Sequence, residues 1–442
     1  MSEHHVLNDH HSGKGVPVEQ SLGTPSANLR WSKDATLEPA FPGVPDLVCF
    51  SHLRWDFVYQ RPQHLLSRCA QVRRVFFVEE PLASPDDSWQ LEISRRECGV
   101  WVAVPHLPIN LSEEMAITLQ QQLLDDLFAE AEIQAPILWY YTPMAVPFTY
   151  QLSASAVVYD CMDELAAFKG AHPQLQARET HLFKLADLVF TGGRSLYEAK
   201  QHQHANVHAF PSSIDTAHFA QARDRVEDPP DQAAIPHPRM GFYGVIDERM
   251  DLELLDGIAE ARPDWHLVII GPVVKIDPAT LPSHPNIHYL GGKTYQELPN
   301  YLAGWDVALL PFACNESTRF ISPTKTPEYL AAGKPVVSTS IRDVVRPYGQ
   351  EKLVHIADTA PEFVTAIEQA LEQSQIDSEW LNRVDAFLSQ ISWDLTWNEM
   401  NRLIETEIAK KKGTNGDIQQ QVPAAAKLIQ TGIKQPITAN DN

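Results

Sequence analysis

Short apolar runs of strand character alternate with amphipathic helical patterns along most of the chain, in two series separated by one charged, proline-rich stretch. In the first series "DLVCFS", "RVFFVEEP", "APILWYYT", "AVVYD" and "DLVFTGG" read as strands, with "WQLEIS" and "GVWVAVP" as a strand pair. Between them "RPQHLLSRCAQ", opened by Pro62, "SEEMAITLQQQLLDDLFAEAE", with Ser112 as N-cap, and "HPQLQARETHLFKLA" read as helices. The pattern breaks at "ARDRVEDPPDQAAIPHPRM" and resumes with "MGFYGVI", "HLVIIGP", "NIHYLGG", "DVALLPF" and "KLVHIA" around two further helices. Strands that alternate with helices need crossover connections, and these give parallel sheets covered on both faces. Two series therefore predict two doubly wound α/β domains in tandem, with a cleft between them. In such sheets ligands bind outside the carboxyl ends of the strands, so the loops there are where chemistry is expected.

The expected division is an arm without structure over 1–45, a first domain over 46–220, a linker over 221–238 and a second domain over 239–390. Closing helices over 391–412 and an unstructured tail over 413–442 complete it. At 442 residues and 44% hydrophobic content the chain can bury sizeable cores. A formal net charge of −22 argues against nucleic acid as a partner, while a local basic patch would still permit contact with a membrane surface. Five cysteines without CxxC spacing fit reduced thiols and neither a disulfide framework nor a zinc site. No apolar run reaches the roughly 18 residues of a membrane span, and the first residues lack the order of a signal peptide. The expectation is a soluble cytoplasmic protein. The four histidines of "MSEHHVLNDHHSGKG" read as a polar tail, with metal binding as the alternative.

The most informative stretch is "SPTKTPEYLAAGKPVVSTS", Ser322 to Ser340. Thr326 is placed as N-cap with Pro327 at the first helical position, Glu328 in the first turn and Gly333 as the stop before a buried strand. Free N–H groups beside Lys325 make an anion site, and Glu328 can accept hydrogen bonds from a sugar diol. Phosphate next to ribose is what a nucleotide presents. The alternative is a well-capped crossover with a solvated lysine and glutamate. Two more strand-end loops face the same crevice: "FYGVIDERMD" with Gly244 and Arg249, and "IIGPVVKIDP" with Gly271 and Lys275. Neither GxxxxGK[ST] nor GxGxxG occurs, which removes the main support for an ATPase or a dinucleotide enzyme.

In the first series "AVVYDCMDELAAF" ends a strand with Asp160, Asp163 and Glu164. Either aspartate at a cleft-facing strand end could deprotonate an incoming hydroxyl, or could simply cap the next helix. "FSHLRWDFVYQRPQHLLSR" gathers Arg54, Trp55, Tyr59, Arg61 and His64, a mixture suited to a sugar or lipid phosphate, although packing also explains the aromatics. "LVFTGGRSLYEAK" adds Gly192 and Gly193, where small residues leave room for a ligand.

On these stretches, and on "FPSSIDTAHF", the chain from Asp46 to about Lys412 resembles the GT-B glycosyltransferases, specifically bacterial glycosyl transferase family 1/4-like proteins. The resemblance implies a nucleotide-sugar donor held by the C-terminal domain, an acceptor held by the N-terminal one, and closing helices that cross back to the first domain. Carried onto the motif, Lys325 would contact the diphosphate and Glu328 the ribose, with Thr324 beside them in the donor site. Where many members carry a second glutamate eight residues earlier, this chain has Phe320, and where many carry an arginine after the glycine, it has Val245. Glu316, Arg319 and Arg249 are candidate substitutes. The expected activity is a metal-independent hexosyltransferase that needs no cofactor, takes a nucleotide-diphosphate sugar as donor and builds a surface polysaccharide or glycolipid. Asp163, or else Asp160, is the expected base, and Arg54, Arg61 and His64 are the expected acceptor contacts. A sugar or a lipid-linked sugar is the expected acceptor, reached through a basic face that includes Arg73 and Arg74 at the inner side of the membrane. A GT-B epimerase or hydrolase and a non-catalytic nucleotide-sugar scaffold are the rival readings.

Overall fold

In the computed structural model the described residues are 28–420, apart from 33–36, 38–39, 85–87, 226 and 375–377. The four histidines near the start of the chain and the last residues of the tail, 421–442, lie outside them.

The first sheet is built from β1 (Leu29–Trp31), β2 (Leu47–Ser51), β3 (Val75–Glu79), β4 (Leu82–Ser84), β5 (Gln90–Arg95), β6 (Val100–Pro108), β7 (Ile137–Tyr140), β8 (Ala156–Cys161), β9 (Leu188–Thr191) and β10 (Val207–Ala209). Their order is β1-β5-β6-β3-β2-β7-β8-β9-β10, with β4 beside β6. All pairs are parallel except β5 with β6. The second sheet, β11 (Arg239–Tyr243), β12 (His266–Ile270), β13 (Ile287–Tyr289), β14 (Val307–Leu310), β15 (Val336–Ser338) and β16 (His355–Ile356), is wholly parallel in the order β13-β12-β11-β14-β15-β16.

The two-residue period of a strand sends neighbouring side chains to opposite faces. Val48 and Phe50 of β2 join one core cluster, while Leu47 and Cys49 join the cluster on the other face. Both faces being dry, the strand reads as an unbroken apolar run. The second cluster is sealed by the closing helix Trp393–Gln420, whose Trp397, Met400, Ile404 and Ile408 form a stripe at helical spacing on the first sheet. Each such buried side chain contributes about 1.5–3 kcal/mol. A third cluster, centred on Trp265, Trp305 and Tyr329, belongs to the second sheet.

Several expectations are corrected here. The arm over 1–45 was expected to lack structure, yet β1 lies within it and pairs with β5; three residues in polar surroundings carry too short a signal to read. The stretch over 221–238 is not a free linker. Gln232 is buried and accepts from the Trp305 indole at 3.0 Å, and Asp228 pairs with Arg239 at 2.7 Å. Residues 413–420 of the expected tail continue the closing helix. The basic and aromatic face expected around Arg73 and Arg74 is interior: Arg74 is paired with Asp46 and Arg73 with Glu405, both at 2.6 Å, and Phe76 and Phe77 are core residues. Among the described residues no helix is long and apolar enough to cross a membrane.

Candidate active site

A cavity of about 700 Å³ lies between the two domains, lined by strand-end loops of both sheets. The first domain contributes Arg61, Met162, Asp163, Gly192 and Ser212 to its wall. From the second come Gly244, Arg249, Thr324, Lys325 and Glu328.

The helix that carries the lysine runs Lys325–Ala331. It starts earlier than the sequence suggests: Thr324 is the N-cap, Pro327 sits in the first turn, and the Thr326 hydroxyl is buried without a partner. Proline is tolerated there because first-turn N–H groups have no intrahelical acceptor. Gly333, at φ +72°, ends the helix, and Lys334 N–H returns to the Tyr329 carbonyl at 3.0 Å.

Two glycines set the spacing of the loops. A Cβ on Gly244, at φ +147°, would stand 2.3 Å from Lys325 Cε, and one on Gly271, at φ +148°, would stand 1.7 Å from the Gly244 carbonyl oxygen. The Gly244 and Gly271 loops are thus stacked in backbone contact, and the Lys325 side chain lies against the first of them. Among the described residues the Lys325 ammonium has no hydrogen bond or ion pair. Burial lowers its pKa, with the nearby Glu328 carboxylate acting in the opposite sense. Glu328 accepts a short hydrogen bond from the buried Tyr243 hydroxyl. Burial raises the Glu328 pKa, and Lys325 and the Tyr243 hydroxyl partly offset this.

Asp163 faces this cluster from the first domain. Burial pushes its carboxyl up to about 6 against the pull of Arg249 and Arg61. Arg249 itself is held by Asp247 through both carboxylate oxygens, the closest contact being 2.7 Å. The charged groups on the cavity wall thus include the unpaired Lys325 ammonium, the Arg249 guanidinium paired with Asp247, and the Asp163 carboxyl raised to about 6.

The remaining expected site residues stand elsewhere. Asp160 is fully buried, and Arg61 takes both of its oxygens, with Nε–Oδ2 2.9 Å and Nη2–Oδ1 2.8 Å. A carboxylate so engaged is not available as a base, and this corrects Asp160 as a catalytic candidate. Arg61 Nη1 donates to the Phe210 carbonyl at 2.8 Å, so all three of its nitrogens already have protein partners where it reaches the cavity wall. His64 is buried and stacked on Trp393 at 4.5 Å, which makes it a seat for the closing helix and not an acceptor contact. Arg54 is tied to Glu79 at 2.9 Å and to the Glu80 carbonyl at 2.6 Å, away from the cavity wall. Lys275, with Arg249, flanks the Phe168 ring at 5.7 and 5.6 Å, also off the wall.

Tyr243, Asp247 and Tyr295 were not anticipated. Tyr243 ends a strand and reads from sequence as core. Tyr295 is stacked between Tyr59 of the first domain, at 4.3 Å, and His218, at 4.2 Å, and its hydroxyl is buried without a partner. Only the aromatic content of "WDFVYQR" hinted at this stack.

Residues 238–373 match the family model described as glycosyl transferases group 1. TuaH of Bacillus subtilis (strain 168), named as a teichuronic acid biosynthesis glycosyltransferase, is 25% identical over 275 residues, 57% of this chain and 68% of that one. Among solved structures, the sucrose-phosphate synthase of Thermosynechococcus elongatus superposes with a TM-score of 0.59 at 14% identity, over 83% of this chain and 100% of that one. An E. coli trehalose-6-phosphate protein bound with UDP-2-fluoro glucose gives 0.61 at 12% identity, over 82% and 99%. Anabaena HepE in complex with UDP and glucose gives 0.59 at 12%, over 81% and 99%. The chain thus shares the GT-B fold of these solved structures, and its second domain matches the group 1 glycosyl transferases over residues 238–373.

Proposed function

We propose that the cavity binds a nucleotide-diphosphate sugar and that the chain transfers its sugar to a hydroxyl of a sugar or lipid-linked sugar, in the synthesis of a surface polysaccharide or glycolipid. The observation that carries this is the unpaired Lys325 ammonium facing Asp163 across one cavity, each from a different domain. Lys325 and Arg249 meet the diphosphate and Glu328 the ribose, with Gly244 and Thr324 shaping the pocket between them. Asp163 takes the proton of the acceptor hydroxyl as its oxygen forms the new bond to the sugar's anomeric carbon. The bond from that carbon to the phosphate oxygen breaks, and the nucleoside diphosphate leaves with its charge balanced by the two cations. Attack from the side opposite the leaving group inverts the anomeric centre. These cations fill the role a metal has elsewhere, so turnover is expected to survive a chelator. The comparisons support the reading: TuaH is named for teichuronic acid biosynthesis, and HepE was solved with UDP and glucose.

The test is a thermal-shift panel of UDP, GDP, CMP, ADP and their common sugars on the wild-type chain and on Lys325→Ala. A ligand at one hundred times its dissociation constant stabilises by about 2.7 kcal/mol. A shift with one nucleotide that vanishes in the variant is the expected result. No shift with any of them would overturn the donor site.

A further inference from the structure

Behind the cavity a carboxylate of the second domain caps a helix of the first. Asp343, in the turn after β15, accepts from the backbone N–H of Arg194 at 2.7 Å and of Ser195 at 2.9 Å, at the start of the helix Arg194–Lys200. It is 5% exposed and faces no opening of the donor cavity. Further along the same helix Glu198 meets Arg342 at 2.7 Å and Arg346 at 3.2 Å, so the second domain grips the helix twice.

Gly193 lets the cap close. Its backbone is extended, so the requirement is space: a Cβ would stand 2.3 Å from Asp343 Oδ2 and 3.0 Å from Ser322 Cβ. Ser322 begins the segment that leads to Lys325. It is bound from the first domain by Ser212, whose N–H donates to Ser322 Oγ at 3.4 Å and whose hydroxyl donates to the Ser322 carbonyl in a short bond.

The far end of the capped helix carries the other link. Lys200, 4% exposed, pairs with Glu179 and with Glu164, both at 2.8 Å. Glu164 adjoins Asp163 in the chain, and Gly192 N–H holds the Cys161 carbonyl at 2.9 Å just before it. One short helix therefore connects Asp343 at its first turn to the loop that bears Asp163 at its last.

We propose that Asp343 is a positioning residue: by capping the helix Arg194–Lys200 across the domain boundary it fixes the Asp163 loop opposite Lys325, without touching substrate. The inference rests on contacts within the chain and goes beyond the sugar-transfer reading, which can fail without it.

The test compares Asp343→Ala and Asp343→Asn in the full chain by hydrogen exchange, nucleotide binding and turnover. Exchange in Asp343→Ala is expected to rise about tenfold both at residues 194–198 and in the loop 161–164, because the two lie on one cooperative unit. The dissociation constant for the nucleotide diphosphate is expected to stay within about twofold while kcat falls about tenfold, since the donor contacts are all in the second domain. Asp343→Asn, which keeps one acceptor oxygen, is expected to recover part of both effects. A cap of only local importance would raise exchange at 194–198 and leave 161–164 and kcat unchanged, and that result would overturn the proposal. If Asp343→Ala does not fold, Gly193→Ala displaces the carboxylate by bulk and is read in the same way. Should no sugar transfer be found at all, the exchange in 161–164 still decides.

Discussion

The methylene beside the Lys325 ammonium lies where a Cβ on Gly244 would stand, 2.3 Å away. Backbone and side chain are in contact with nothing between them, so Gly244 decides where the lysine's charge sits. Gly244→Ala meets two penalties, the φ of +147° and the clash with Lys325. Strain of that kind costs about 1–3 kcal/mol. The variant is expected to melt a few degrees lower and to bind nucleotide diphosphate about as weakly as Lys325→Ala. Calorimetry of the two variants side by side checks this; wild-type affinity in Gly244→Ala would show that Gly244 does not set the lysine's position.

Much of the frame is legible in the residues, and the reason is local. Strands such as β2, β3, β11 and β12 are buried on both faces, so each appears as an unbroken apolar run that needs no knowledge of its neighbours. The lysine, the glutamate and the glycine stop of the Ser322–Ser340 stretch are legible for the same reason. What stays hidden depends on partners distant in sequence. Asp160, near the end of β8, and Asp163, in the loop after it, stand three apart, yet an arginine ninety-nine residues from Asp160 occupies both its oxygens and leaves Asp163 facing the cavity. No spacing rule distinguishes them. Arg54, Arg73 and Arg74 look like a basic face until their carboxylate partners are seen, and Tyr243 looks like core because it is core, with only its hydroxyl turned to Glu328.

That hydroxyl carries the next prediction. Glu328 is 6% exposed, and Tyr243 is the donor that reaches it from within the second domain. Tyr243→Phe leaves a buried carboxylate without that bond, a loss of about 1–3 kcal/mol. The melting temperature is expected to fall by several degrees in the absence of ligand. A nucleotide whose ribose bonds Glu328 should return part of the difference, and urea titrations with and without nucleotide measure both. An unchanged midpoint in the free protein would show that the bond contributes nothing.

The pairing of Arg61 with Asp160 is structural, and its energetics are those of a buried ion pair. Removing one partner strands the other charge, at a cost of about 3–5 kcal/mol. Arg61→Ala is therefore expected to express poorly or to unfold at markedly lower denaturant. Arg61→Lys should recover little, because an ammonium cannot make the forked contacts that occupy both oxygens and the Phe210 carbonyl. Asp160→Asn, if catalysis lies with Asp163, should lose stability while keeping kcat in the molecules that remain folded. A kcat that collapsed in soundly folded Asp160→Asn would return the catalytic role to Asp160.

Asp163 gives the pH dependence. Its carboxyl is raised from 3.8 to about 6, chiefly by burial, and a base must be deprotonated to act. Transfer is expected to be level above about pH 7 and to fall about tenfold per unit once the pH drops below the folded pKa. For stability the sign is opposite: the raised pKa means the fold favours the protonated group. Its contribution is present below the unfolded value near 3.8 and is lost as the pH rises through about 6. Asp163→Asn, which removes a charge that the cavity resists, should thus melt slightly higher than the wild type at pH 7.5 while losing about a hundredfold or more in kcat. Nucleotide binding should remain, because Lys325 and Glu328 are untouched. Rate profiles from pH 5 to 8 on both proteins, with the anomeric configuration of the product followed by NMR, test the assignment. A retained anomer, or a variant that keeps most of its turnover, would remove Asp163 from the role of base and leave the cavity's cations as its main chemical resource.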